Sequence, residues 1–208
     1  SLKCVHDHCV PLRERQAPLE HLLDQCWGYE FVLKPMAGLD MYVTRKFKLI
    51  GHLKPGVSPD PDDAKHPGVW VWRPLVTPDL EKQAKAKSGD EKGGDGVTLA
   101  SLGDIITTTS RPPSGAILLG SVGCAEPVSF TKVAYHAADK ITIWRPKAKE
   151  EGESVSLGDI AESGTIPPRL MAVHLVPRWA VSDSSIAGRL YAPSKNDKNK
   201  LSLWSNRS

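Results

Sequence analysis

"VWVWRP" (69–74) followed by "LASLGDIITTTSRPP" (99–113) is echoed later by "ITIWRP" (141–146) followed by "SVSLGDIAESGTIPP" (154–168). Three blocks recur in order. Trp72-Arg73-Pro74 matches Trp144-Arg145-Pro146, and Ser101-Leu102-Gly103-Asp104-Ile105 matches Ser156-Leu157-Gly158-Asp159-Ile160. Pro112-Pro113 matches Pro167-Pro168, eleven positions after the serine in both copies. The spacing from tryptophan to serine differs, 29 positions in the first copy and 12 in the second. Three ordered blocks make an internal repeat, and a repeat means one supersecondary unit used more than once.

Around the repeat, short segments of six to ten residues alternate with turn residues. They are "VTLASLGDII", "GAILLGSVGC", "FTKVAYH", "ITIWRP", "SVSLGDIA", "RLMAVHLVP", "GRLYAPS" and "KLSLWSN". Such spacing, with β-branched and aromatic residues and with 17 Pro and 17 Gly, predicts an all-β, turn-rich domain and not βαβ units. Upstream, "YEFVLKP" and "LDMYVTRKFKLIGHL" read as further strands, and "KPGVSPDPDDAKHPG" (54–68) as a loop. The extra residues of the first copy fall in "DLEKQAKAKSGDEKGGDG" (79–96), which is charged, glycine-rich and without an apparent apolar face. It reads as a flexible, solvated insertion. Residues 1–28 form a separate extension. In "APLEHLLDQCWG", Leu19, Leu22, Leu23 and Cys26 have helical spacing, with Pro18 suited to the first turn and Gly28 to the stop, which predicts one short helix. The domain proper is then 29–208.

Within the repeat, strand alternation puts Val69 and Val71, and likewise Ile141 and Ile143, on one apolar face. Trp72 and Trp144 share the other face, and their size predicts burial. Arg73 and Arg145 can stack on those indoles or pair with Asp104 and Asp159. Gly103-Asp104 and Gly158-Asp159 read first as turn chemistry. A calcium or sugar site on the two aspartates is the alternative.

Net charge is +3, from 27 basic and 24 acidic residues. That balance lacks the basic stripe of a nucleic-acid binder, so no nucleic-acid partner is expected. The longest apolar runs are too short to span a bilayer, and no signal peptide opens the chain. Because it begins at Ser1, the chain is expected to be a piece of something larger. Cytoplasmic or peripheral-membrane placement is favoured. The cysteines, Cys4, Cys9, Cys26 and Cys124, are too few for a disulfide scaffold. "CVHDHC" carries Cys4, His6, His8 and Cys9, all zinc-ligand types, so this cluster is the candidate metal site, with a Cys4–Cys9 bridge or unliganded residues as alternatives. Nucleophile elbow, phosphate loop, dinucleotide fingerprint and zinc-protease helix are all missing from the sequence. His136 and His174 stand alone in or near strands and read as structural. The expectation is a protein that is not an enzyme.

The ordered blocks tryptophan-arginine-proline, Ser-Leu-Gly-Asp-Ile, Pro-Pro and apolar strand resemble the repeat of the plant family named after vacuolar protein sorting-associated protein sixty-two. A similar repeat occurs in the large vacuolar-sorting bridge-like lipid-transfer proteins. "LSLWSN" (201–206) is similar to a tryptophan strand of that family, and "LMAVHLVPRWAV" (170–181) takes the place of its apolar strand and following loop. The resemblance covers residues 69–208, with 29–68 as a first unit. It implies a β-prism-like or related domain of pseudo-threefold repeats, attached to membrane-trafficking, lipid-transport or otherwise membrane-associated proteins, with no catalytic residues. Parts of a third repeat are visible at Tyr29–Leu53 and Leu201–Asn206.

The functional expectation is therefore a binding module that docks a protein partner or a membrane surface. Its candidate contact loop is "RWAVSDSSIAGRLY" (178–191), offering Arg178, Trp179, Ile186, Arg189 and Tyr191, residue types found at binding hot spots. A structural role for Trp179 as a cap on the core is the alternative at that residue. A lectin-like prism that binds carbohydrate, with Trp70, Trp179 or Tyr191 exposed beside an aspartate, is the alternative function. A structural spacer is the third.

Overall fold

The protein is described by a computed structural model covering residues 31–33, 39–54, 68–88, 97–150, 152–183, 185–191 and 203–207. The expected N-terminal helix and the Cys4, His6, His8 and Cys9 cluster lie outside these residues. Those described form an all-β, repeat-built, β-prism-like domain of short antiparallel sheets, with one α-helix among them.

In chain order the elements are β1 (Phe31–Leu33), β2 (Met41–Thr44), β3 (Phe47–Leu53), β4 (Val69–Pro74), α1 (Pro78–Ser88), β5 (Leu99–Ser101), β6 (Ile105–Thr107), β7 (Ala116–Gly120), β8 (Ser129–His136), β9 (Ile141–Lys147), β10 (Ser154–Val155), β11 (Ile160–Ser163), β12 (Val176–Pro177), β13 (Val181–Asp183), β14 (Ser185–Tyr191) and β15 (Leu203–Arg207). Their pairing exposes the repeat. In the first unit, β3-β4-β6 is one sheet and β2-β7-β5 another. The second unit reproduces both, as β8-β9-β11 and as β10-β12 joined by the Ala125–Leu175 bridge.

Register shows how closely the copies agree. Phe47 faces Pro74, Leu49 faces Trp72 and Gly51 faces Val71, so Ile50 is a bulge. Phe130 faces Pro146, Lys132 faces Trp144 and Ala134 faces Ile143, so Val133 is the same bulge. A third hairpin repeats it: Arg189 faces Trp204 and Tyr191 faces Leu203, with the shift at Leu190, and it carries a further shift between Ile186 and Gly188. All three hairpins carry an extra residue at the same step beside the tryptophan, and this identifies β14–β15 as the third copy.

The two ends of the chain share that third unit. β13 leads into β14 as β2 leads into β3, and its partner is β1. The stretch Tyr29–Leu53 is thus divided: β1 completes the third unit, and β2 and β3 begin the first.

Three clusters form the core. The central one joins all three units: Ile117 and Leu119 from the first, Val176 from the second, Val181 from the third, and Leu102 and Leu157 from the two Ser-Leu-Gly-Asp-Ile blocks. The second lies between hairpins, where Leu53, Val69 and Val71 meet Ala134, Ile141, Ile143 and Ala161. The valine and isoleucine face read from the sequence is therefore the seam between units. The third holds Tyr42, Leu118 and Ala84, flanked by Leu80 and Leu99.

That last cluster corrects the reading of 79–96 as a flexible insertion without an apolar face. Residues 78–88 form α1, and Ala84 is fully buried. Leu80 and Ala84 are one turn apart and share a face, which covers the outside of the β2-β7-β5 sheet. Leu118 points into this layer while its strand neighbours Ile117 and Leu119 point into the centre. That explains why β7 is buried on both faces. The Thr77 hydroxyl accepts the Leu80 amide at 3.4 Å, capping the helix start. Lys87 pairs with Asp40 and lies over the Tyr42 ring.

Candidate functional site

The most densely connected polar group is built from the repeated motifs themselves. Arg73 makes a two-pronged contact with Asp104, Nε to Oδ1 at 2.9 Å and Nη2 to Oδ2 at 2.8 Å. It reaches across to the second unit as well, donating to Glu162 at 2.8 Å and to the Ala161 carbonyl. Asp104 in turn accepts the Ala161 amide at 2.7 Å. The Asp104 carboxyl is only 3% exposed. Burial disfavours its charge, and the guanidinium and the Ala161 amide oppose that by three hydrogen bonds. Burial also works against the Arg73 charge, but the carboxylates of Asp104 and Glu162 outweigh it and hold the guanidinium protonated.

Arg145 and Asp159 form the corresponding two-pronged pair, with both contacts at 3.0 Å. This copy is open: the Arg145 side chain is 55% exposed. Between the open and closed copies lie the two glycines. A Cβ placed on Gly103 would overlap the Gly158 backbone, and one on Gly158 would overlap the Leu102 carbonyl. Gly103 also has a φ of +136°. The Asp104 amide donates to the Asp159 carbonyl at 2.9 Å. The two Gly-Asp turns are therefore packed backbone to backbone, and Ser101 and Ser156 each accept the amide of their glycine at 3.3 Å. Of the two readings of Arg73 and Arg145, pairing with Asp104 and Asp159 is the one the geometry shows.

The tryptophans match in burial, Trp72 and Trp144 both at 8% exposure. They differ in bonding. The Trp72 indole donates to Thr107 Oγ1 at 3.0 Å. Glu162 holds the place of Thr107 in the second unit and turns to Arg73, so the buried Trp144 Nε1 has no partner among the described residues. Glu162 was missed from sequence. Its signal was the break in the repeat, where "DIIT" becomes "DIAE".

The residues expected to contact a partner do not form one loop. Arg178–Ala180 is a single 3-10 turn, and β13 and β14 follow it directly. Ile186 has the register position of Phe47 and Phe130, at the start of its hairpin. Arg189 has that of Leu49 and Lys132, both exposed in their own units. Tyr191 has that of Gly51 and Ala134. Arg178 and Trp179 stand at one end of β13, and Ile186 beyond the other.

Trp179 is 61% exposed, although Ala180 beside it is fully buried. It does not cap the core. The Arg178 amide donates to the Glu153 carbonyl at 2.8 Å, and the Val181 amide to the Arg178 carbonyl, so the turn is fixed from both sides. By register, Arg178-Trp179 occupies the place of Leu39-Asp40 before β2 in the first unit and of the Val122-Gly123 turn in the second. Val122 is exposed too. Trp70, the other indole considered for sugar stacking, is half-buried and stacked on His52 with centroids 4.1 Å apart.

The isolated histidines are structural in position. His136 is buried with Nδ1 3.0 Å from Asp139, which also accepts the Lys54 amide. His174 is buried and approaches the Thr98 carbonyl at 3.4 Å. Burial pushes the Cys124 thiol up to about 11. Among the described residues, no three His, Cys, Asp or Glu side chains gather as a metal site, and no helix is long and apolar enough to cross a membrane.

No protein-family model matches the chain, and no curated protein does. A structural match is found in the crystal structure of GNIP1Aa from Chromobacterium piscinae, with a TM-score of 0.54 and 16% sequence identity over 82% of this chain. The chain spans 30% of that protein's length. At this identity the likeness concerns the fold alone.

Proposed function

We propose that this domain is a non-catalytic binding module of a membrane-trafficking or membrane-associated protein. It docks a protein partner or a membrane surface through the Arg178–Ala180 turn. The observation that carries this reading is Trp179: a 61% exposed indole on a turn anchored by a fully buried neighbour. A large rigid side chain presented without ordering cost suits a binding anchor. The charged side chains of the repeat are engaged with one another, as in Arg73–Asp104–Glu162 and Arg145–Asp159. The trafficking setting, and with it cytoplasmic or peripheral-membrane placement, rests on the resemblance of the repeat to the vacuolar-sorting family. A structural zinc on Cys4, His6, His8 and Cys9 belongs to the same proposal.

Co-sedimentation with anionic liposomes and pull-down from lysate test the reading on the wild type and on Trp179→Ala with Arg178→Ala. Loss of about tenfold or more in binding is expected for the double variant, the size of a hot-spot truncation. A well-folded double variant with full binding removes the turn from consideration. Carbohydrate is the second reading, since an exposed indole also stacks on sugar rings. Glycan-array binding, with silence in the other two assays, would select it.

A further inference from the structure

The third unit is closed by a strand from the opposite end of the chain. β1 pairs antiparallel with β13, Phe31 opposite Asp183, Val32 opposite Ser182 and Leu33 opposite Val181. Among the described residues β1 has no other strand partner. In the first unit Tyr42 of β2 faces Leu118 of β7. Val181 holds the place of Tyr42, so β1 is the third unit's counterpart of β7. That place is demanding. β7 is buried along its whole length, and Val173, His174, Leu175 and Val176 are buried in the second unit. Val181 is itself only 2% exposed and belongs to the central cluster. The slot along β13 therefore needs an apolar extended strand, and Phe31-Val32-Leu33 supplies one. Elsewhere the counterpart strand arrives from within its own unit. Here, among the described residues, its strand pairing is the three residue pairs with β13, and the sequence that connects it to β2 is "KPMAGLD" (34–40), with Pro35 and Gly38 in it.

We propose that β1 is an exchangeable closing strand: the slot along β13 accepts Phe31–Leu33 of a second copy of this chain as well as its own. A second copy is the fitting occupant because it carries the identical segment and restores the identical ladder. Mutual exchange fills both slots and leaves no new edge, so the assembly closes as a dimer. The exchange costs the freedom of two connections and one association, with no contact of the monomer lost.

Cross-linking across the register tests this. In a chain whose four cysteines are replaced by serine, Val32→Cys is placed on one copy and Ser182→Cys on another. The two are mixed in denaturant, refolded together and oxidised. A disulfide-linked heterodimer is expected, its yield rising with protein concentration, and it should vanish when the Ser182→Cys copy is refolded with chains lacking residues 1–33. Both substitutions on one chain should give an internal cross-link at low concentration. As a readout independent of the serine background, the unmodified chain refolded at high concentration should sediment partly as a dimer, and the chain lacking residues 1–33 should not. Internal cross-links alone at every concentration, with no heterodimer and no dimer in sedimentation, overturn the exchange. Absence of any cross-link overturns the β1–β13 pairing it depends on.

Discussion

Arg73 and Arg145 hold the same position in the repeat, yet they do different work. Arg73 neutralises a carboxyl that is 3% exposed and ties the first unit to Ala161 and Glu162 of the second. Removing it would strand Asp104 in the interior without its counter-ion. Arg73→Ala should therefore cost about 3–5 kcal/mol in denaturant unfolding, the range for breaking a buried pair. Arg145 is more than half exposed, and Arg145→Ala should cost about 1 kcal/mol or less. Equal losses would show that the seam does not depend on the Arg73 bridge. His174 gives a pH signature. It holds the place of Ile117 in the first unit, and burial lowers its pKa from 6.5 against the weaker opposing effects of the Thr98 carbonyl and Glu126. The unfolded chain takes up the proton first as pH falls, so the neutral folded form is favoured above 6.5 and stability is lost progressively below it. His174 Nδ1 has no partner among the described residues, and the Thr98 carbonyl already accepts the Ser121 amide. His174→Leu should thus match the wild type within about 1 kcal/mol at pH 8. Its melting temperature should fall less between neutral and acid pH. Parallel profiles would remove His174 as the source.

Among the elements, α1 overturns a reading by composition. Lysine, glutamate and alanine dominate "PDLEKQAKAKS", and two inward positions, Leu80 and Ala84, are all the apolar face it has. A stripe that narrow falls below what periodicity reveals in a charged background. The local signals were present nonetheless: Thr77 as cap, Pro78 in the first turn, Asp79 and Glu81 at the start, Lys85 and Lys87 at the end. The strands were legible because alternation and turn residues punctuate them, and the Trp72 and Trp144 pairing with burial followed from size. The third unit was legible only in fragments, since its strands come from both ends of the chain and no spacing rule joins them. The contact residues do not fall in one loop because Arg178 and Trp179 sit on the turn before β13, whereas Ile186, Arg189 and Tyr191 lie on β14 in a different two-stranded sheet, which sequence proximity hides. Replacing 79–96 by a linker as short as that of the second copy uncovers Leu118 and Tyr42. A loss of about 2–4 kcal/mol is expected, comparable to opening one large apolar contact. A melting temperature unchanged by the deletion would mean that α1 contributes no packing.

At the scale of the molecule, the units are not beads on a string. Each contributes to the central cluster, and Leu102 and Leu157 from the two repeated blocks sit together in it. The glycines beside those leucines decide how closely the units approach. Gly103 meets Gly158 through backbone alone, with no flexible side chain between them to give way. Gly158→Ala must therefore push the two Gly-Asp turns apart. It would strain the Asp104–Asp159 backbone bond and the Asp104–Ala161 bond together. Overpacking of this kind costs about 1–3 kcal/mol or more, and because the strain falls on the joint between units, it should lower the melting temperature of the whole domain. Calorimetry and tryptophan fluorescence should then report one shifted transition, with calorimetric and van't Hoff enthalpies equal. Two separate transitions in the variant, or in the wild type, would show instead that the units fold independently and that the central cluster does not couple them.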